Sequence, residues 1–205
     1  MMEIIVGTDS TWSLRVWMCL ELAKLEVSET VVDLGAADYK VKLLALSPTG
    51  LVPALVDGAL TVHDSLAITE YINERADGVL YPEQSTERAI ARSLCAEMHA
   101  GFIAVRGRCP FTLSTVATID VTELTAAPLS NELVRIEAIF ANAKLPFMFE
   151  SASAVDAFYA ILAFRLNHYG IQFDGKAGAY QSSLLEWDLL QRAIAQAKQW
   201  QEADA

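Results

Sequence analysis

The chain is predicted to fold as two domains. Residues 1–80 form a mixed α/β domain of element order β-α-β-α-β-β-α, and residues 81–205 form an all-helical domain. Three features carry this prediction. Short β-branched runs alternate with stretches of helical period up to about residue 76, the hairpin signal Asp57-Gly58-Ala59 joins two of those runs, and nearly everything after Ser85 has helical period.

Glu3-Ile4-Ile5-Val6 is a short buried-type strand, closed by the polar cluster Gly7 to Thr11. Val16, Leu20 and Ala23 recur at helical spacing across Ser13–Leu25, and Ser10, Thr11 and Ser13 each offer an oxygen to cap that helix. Thr30 to Leu34 is a second strand, and Asp38 to Leu46 is a short helix ended by Ser47-Pro48-Thr49-Gly50. Ala54–Val56 and Leu60–Val62 make the hairpin, and a third helix runs from Ser65 to about Ala76. The strand–helix–strand opening implies a parallel pair, to which the hairpin adds antiparallel strands. Asp77 to Ser85, with Gly78 and Pro82, reads as a linker. Helices are then expected at about 86–116, 121–142, 154–168 and 177–201, the last broken near Glu186.

A content of 53% hydrophobic and 20% charged residues supports a packed core and argues against disorder. Fifteen basic residues against 26 acidic ones give a net charge of −11, and 12 of the acids with only 5 of the bases fall in residues 1–80. Such a surface repels nucleic acid and anionic membrane, so neither is an expected partner. No apolar run reaches the ~20 residues that span a bilayer, and Met1 to Val6 is too short and acidic for a signal peptide, so a cytoplasmic location is expected. Cys19, Cys95 and Cys109 are odd in number and widely spaced, and His63, His99 and His168 are scattered. That pattern predicts neither a disulfide framework nor a metal site.

Three stretches carry chemistry. In Ser47-Pro48-Thr49-Gly50-Leu51-Val52-Pro53-Ala54-Leu55, Pro53 enters a strand where it cannot donate a ladder hydrogen bond. Either the Val52–Pro53 bond is cis, turning the Val52 backbone toward an extended peptide, or a trans proline begins an edge strand. In His63-Asp64-Ser65-Leu66-Ala67-Ile68-Thr69-Glu70-Tyr71-Ile72, Ser65 is a natural N-cap whose helix terminus can hold a carboxylate, and Asp64 can pair with an ammonium. Together they suit the two charges of an α-amino acid head group; a capped surface helix with an acidic neighbour accounts for the same residues. Ser10-Thr11-Trp12-Ser13 stands where redox folds of this topology carry C-x-x-C, so the protein lacks the thiolate that disulfide exchange needs. A serine hydroxyl at a helix N-terminus can instead hydrogen-bond the sulfur of a bound thiol and favour its thiolate, or simply cap the helix.

In order and spacing these stretches resemble the cytosolic glutathione S-transferase family, in particular a serine-type bacterial member. The matching motifs are Ser-x-x-Ser-x-Arg-Val from Ser10, Ser-Pro-x-Gly-x-Val-Pro-x-Leu from Ser47 and Asp-Ser-x-Ala-Ile-x-Glu-Tyr-Ile from Asp64. Ser153-Ala154-Val155-Asp156 resembles that family's capping box at a core helix. The resemblance covers essentially the whole chain. It implies a thioredoxin-like first domain, a cis Pro53, glutathione as co-substrate, no metal, and a homodimer. It further implies that Ser10 faces the glutathione sulfur, Val52 pairs its backbone with the cysteinyl unit, Asp64 and Ser65 hold the γ-glutamyl group, and Lys40, in competition with Lys42, meets the glycyl carboxylate. Ser13 is the less favoured thiol contact. Asp64 is one methylene shorter than the family's usual Glu or Gln, and Trp12 is bulky where the zeta signature has a small residue, which speaks against zeta-type isomerase chemistry.

The second substrate, a small apolar electrophile, is expected to bind where the helical domain faces Ser10. His99, Phe102 and Arg106 fall at i, i+3 and i+7, on one face of the expected helix, with Trp12 as a further wall. Packing and a surface ion pair account for these residues equally. The expected function is glutathione transfer. A non-catalytic glutathione- or ligand-binding protein and a glutathione-dependent isomerase are the alternatives.

Overall fold

A computed structural model describes residues 2–203, the side chain of residue 121 excepted; residues 1, 204 and 205 of the two expected domains lie outside the described residues. The chain groups into two compact units. One runs through Leu80 and is rejoined by the stretch from Gln191 onward, and the other is Tyr81–Leu190.

In the first unit, β1 (Met2–Gly7) runs parallel to β2 (Val27–Val32) and antiparallel to β3 (Ala54–Asp57), which pairs antiparallel with β4 (Leu60–His63). The sheet order is β2-β1-β3-β4. Asp57 pairs directly with Leu60, so Gly58 and Ala59 make a two-residue turn, in which Gly58 takes a φ of 61° that a side chain would oppose. β1 is central, and its apolar run Ile4-Ile5-Val6 is almost fully buried. Helix α1 (Thr11–Ala23) ends at Lys24 in the left-handed conformation and leads into β2. Helix α2 (Tyr39–Leu46) buries only Leu43, against Ile5, Val32 and Ala54. Helix α3 (Ser65–Arg75) packs along α1 and buries Ile68 and Ile72. Each such side chain contributes about 1.5–3 kcal/mol when withdrawn from water.

The second unit departs from the expected helices in two places. The expected helix 86–116 is instead α4 (Ser85–Ala100) and α5 (Ile103–Arg108), followed by a helix-free stretch to Asp120. Gly101 is extended at ψ −167°, with a Cβ built there falling 2.7 Å from the Glu97 carbonyl oxygen, and Phe102 is left-handed at φ 56°. The expected helix 121–142 is α6 (Val121–Leu124) and α7 (Leu129–Phe140). Pro128, without an N–H and with a ring that clashes in a helix interior, lies in the interruption. Helix α8 (Ala154–His168) is the buried centre of this unit, and α9 (Gly175–Glu186) follows.

At the N-terminus of α8 the capping box is present. Asp156 Oδ2 accepts from the Ser153 N–H and hydroxyl, while Oδ1 accepts from the Met148 N–H and the Tyr180 hydroxyl at 2.7 Å. Helix α10 (Asp188–Glu202) begins after Trp187, where the sequence places its break. From Gln191 onward it belongs with the sheet rather than with residues 81–190. Its Trp200 indole and Gln196 amide both donate to Glu29 Oε2, at 2.7 and 3.0 Å, and Glu29 Oε1 accepts from the Trp17 indole. No helix among the described residues is long and apolar enough to cross a membrane.

Candidate functional site: the N-terminus of the first helix

Ser10 is the N-cap of α1. Its Oγ accepts the Ser13 N–H at 3.2 Å, and its own N–H donates to the Gly7 carbonyl at 3.2 Å. Accepting uses only a lone pair, so the hydroxyl proton can still be donated outward. Ser13 has another duty: fully buried, its Oγ accepts the Gly7 N–H at 3.3 Å and ties β1 to α1. Between them Thr11, 2% exposed, has an Oγ1 with no hydrogen-bond partner among the described residues. Trp12 is half-buried, with the Arg15 guanidinium 5.5 Å from its ring centroid. The preceding Asp9 is left-handed, and its carboxylate accepts from Gln201 of α10 at 2.6 Å.

The stretch before β3 holds two more of the expected residues. The Val52–Pro53 peptide is cis, Pro53 is buried, and Val52 packs on the Ile5 cluster. Lys40 Nζ donates to the Gly50 carbonyl at 2.8 Å, which brings its charge beside this stretch. Lys42 pairs with Asp38 at 3.3 Å, on the exposed side of α2.

At α3 the expected cap is corrected. Asp64, not Ser65, is the N-cap: its φ of 75° sets Oδ1 to accept the Leu66 and Ala67 N–H groups at 2.9 and 3.3 Å. Ser65 is the first helical residue, 1% exposed, and its carbonyl accepts the Thr69 hydroxyl at 2.8 Å. Two of the N–H groups expected to face a ligand carboxylate are therefore taken by Asp64.

The expected single face of His99, Phe102 and Arg106 does not form, because the helix breaks at Gly101. His99 is in the last turn of α4, Phe102 is buried edge-on to Tyr159, and Arg106 in α5 folds back to donate to the Gly101 and His99 carbonyls. Burial pushes the Arg106 guanidinium down, partly offset by Glu132. Among the described residues no His, Cys, Asp and Glu cluster is arranged to hold a metal. A cavity of about 540 Å³ opens at the other end of α1, lined by Trp17, Leu20, Glu21, Lys24 and Glu29 among others. Lys24 lies 14 positions from Ser10, roughly 20 Å along the helix axis, so this cavity is separate from the Ser10 site. The Gln201–Asp9 and Trp200–Glu29 contacts have no local signal, since their partners are 192 and 171 positions apart.

A parallel β-α-β unit extended by an antiparallel hairpin, with a serine-capped helix after β1, defines a thioredoxin-like domain. The family model described as "Glutathione S-transferase, N-terminal domain" matches residues 9–75. A stringent starvation protein A homolog from Haemophilus influenzae is 30% identical over 162 residues, covering 76% of this chain and 73% of that protein. A probable maleylacetoacetate isomerase from Vibrio cholerae is 33% identical over 98 residues, 44% of this chain and 46% of that protein. In fold, a glutathione transferase homolog from Burkholderia, solved with bound glutathione, superposes with a TM-score of 0.70 at 21% identity, covering 97% of this chain and 98% of that one. The chain belongs to the glutathione S-transferase family.

Proposed function

We propose that the chain binds glutathione on its first unit and transfers it to a small apolar electrophile. The observation that carries this reading is the Ser10 hydroxyl, whose oxygen is fixed by the Ser13 N–H at the start of α1 while its proton is left to donate. A hydrogen bond from that hydroxyl to the glutathione sulfur favours the thiolate over the thiol, whose own proton passes to solvent, and the positive end of the α1 dipole acts in the same direction. A thiol pKa lowered by about two units corresponds to about 2.7 kcal/mol, within reach of one hydroxyl and a helix terminus. The thiolate lone pair then forms the bond to the electrophilic carbon, and the leaving group departs with its electron pair.

The other roles are those that the family resemblance implies. The Val52 backbone meets the cysteinyl unit, Asp64 the γ-glutamyl ammonium with Ser65 beside it, and Lys40 the glycyl carboxylate. Trp12, two residues from Ser10, is a wall for the electrophile. Because residues 1–80 carry 12 acids and only 5 bases, affinity for the anionic ligand is local and modest. The test is isothermal titration with glutathione, followed by turnover on a panel of electrophiles. Saturable binding with glutathione consumed supports transfer. Binding without turnover makes the protein a glutathione carrier, and cis–trans conversion without consumption makes it an isomerase, a reading favoured by the isomerase among its relatives. No binding at millimolar glutathione overturns the proposal.

A further inference from the structure

Within the second unit, the buried guanidinium of Arg165 has no carboxylate partner among the described residues. Arg165, on α8, is 5% exposed, and its guanidinium donates at 3.5 Å to the Arg106 backbone carbonyl. The ionisable groups acting on it are the Arg106 guanidinium, the Cys109 thiol and the Tyr169 phenol, none of them a carboxylate. Burial and then Arg106 push Arg165 down to about 10.

The surroundings explain the missing acid. Helix α5 has none, and the only acid of α8 is Asp156, nine positions away and engaged by Ser153, Met148 and Tyr180. The stretch from Cys109 to Ile119, which lies over the end of α8, has no acidic residue either. It is held there by the Tyr169 hydroxyl donating to the Pro110 carbonyl at 3.1 Å, by the Ile119 N–H donating to the Tyr169 carbonyl at 3.1 Å, and by Phe111 against Phe164. Nearby acids are committed to other groups: Glu132 accepts from the Ala104 and Val105 N–H groups, and Glu123 pairs with Arg108. Buried charges in proteins are ordinarily paired, because an unpaired one carries the full penalty of its desolvation.

We propose that the Arg165 guanidinium, beside Arg106 and beneath the segment 109–119, is the binding group of a site for a small oxyanion, a carboxylate or a phosphate. The planar fork of an arginine presents parallel N–H donors that match such a group, which a lysine at the same place cannot do. The site lies wholly within Tyr81–Leu190 and does not depend on glutathione binding.

The test is thermal unfolding of the full chain with succinate, inorganic phosphate or, at matched ionic strength, sodium chloride. Succinate or phosphate is expected to raise Tm saturably by about 3 °C or more, chloride is not, and the stronger of the two oxyanions identifies the class. Arg165→Met should abolish the saturable rise and Arg165→Lys should weaken apparent affinity at least tenfold. No saturable rise in the wild type, or an equal rise in Arg165→Lys, overturns the proposal. Should Arg165→Met fail to fold, a wild-type crystal soaked in selenate decides directly. An anomalous peak at the Arg165 guanidinium supports the site, and selenium elsewhere or nowhere rejects it.

Discussion

Ser10 and Ser13 lie one helical turn apart, and the Ser13 N–H donates to the Ser10 hydroxyl oxygen at 3.2 Å while the Ser13 hydroxyl oxygen takes the Gly7 N–H. Two residues that look interchangeable in sequence therefore have separate work. Ser10 keeps a proton to give, and Ser13 holds β1 to α1.

Substitutions along this turn should separate the two. Ser13→Ala leaves a buried Gly7 N–H without its acceptor and should cost about 1–3 kcal/mol in denaturant unfolding, with the pKa of bound glutathione unchanged. Thr11→Val removes a buried hydroxyl that has no partner among the described residues and keeps its shape, so stability should stay level or rise. A rise in the bound thiol pKa in Thr11→Val would assign the sulfur contact to Thr11 rather than Ser10.

Lys40 and Lys42 are two positions apart on α2, and only Lys40 reaches the stretch before Pro53. Lys40→Met should weaken glutathione binding about tenfold, or about 1.4 kcal/mol, by titration calorimetry. Lys42→Met removes an exposed ion pair and should change affinity less than twofold. The reverse order would transfer the carboxylate contact to Lys42.

Glu29 collects the Trp17 and Trp200 indoles and the Gln196 amide on one carboxylate. Glu29→Ala leaves two indole N–H groups without an acceptor, at a cost of about 1–3 kcal/mol each where they stay dry. The expected readouts are a lower denaturation midpoint and a red-shifted tryptophan emission. An unchanged midpoint would show that α10 is held by its apolar residues alone.

Burial pushes the thiols of Cys19 and Cys109 up to about 12 and about 11. At pH 8 only about one part in a thousand of Cys109 is thiolate, so both should resist iodoacetamide in the native protein and react on unfolding. The folded state holds these protons more tightly than the unfolded chain. Their contribution to stability is therefore complete below the ordinary thiol value of 9.0 and is lost as pH rises toward 11 and 12. Rapid alkylation at neutral pH would contradict this burial.

What was legible in the sequence was local or periodic. The β-α-β opening, the hairpin at Gly58 and the Ser153–Asp156 box each rest on contacts within a few residues or on one repeating face, and all are present. The breaks in the helical unit have no such local signal. Gly101 and Phe102 interrupt an otherwise continuous helical pattern: Gly101 turns extended with no room for a side chain beside the Glu97 carbonyl, and Phe102 is left-handed, neither of which periodicity reports. At the start of α3 the residue types signal a capped helix, but the cap is Asp64 rather than Ser65, because capping follows the backbone angle of Asp64. The place of α10 against Glu29 and Asp9 depended on partners more than 160 positions away.

Ser10 is proposed to donate a hydrogen bond from its hydroxyl to the glutathione sulfur and so to favour the thiolate. The most direct test is a pH titration of protein-bound glutathione by ultraviolet thiolate absorbance, in the wild type and in Ser10→Ala. The wild type should show a thiol pKa about two units below that of free glutathione, and Ser10→Ala should return it most of the way while lowering stability by about 1 kcal/mol through the lost cap. A wild-type value equal to that of free glutathione, or the same lowered value in both proteins, would contradict the account.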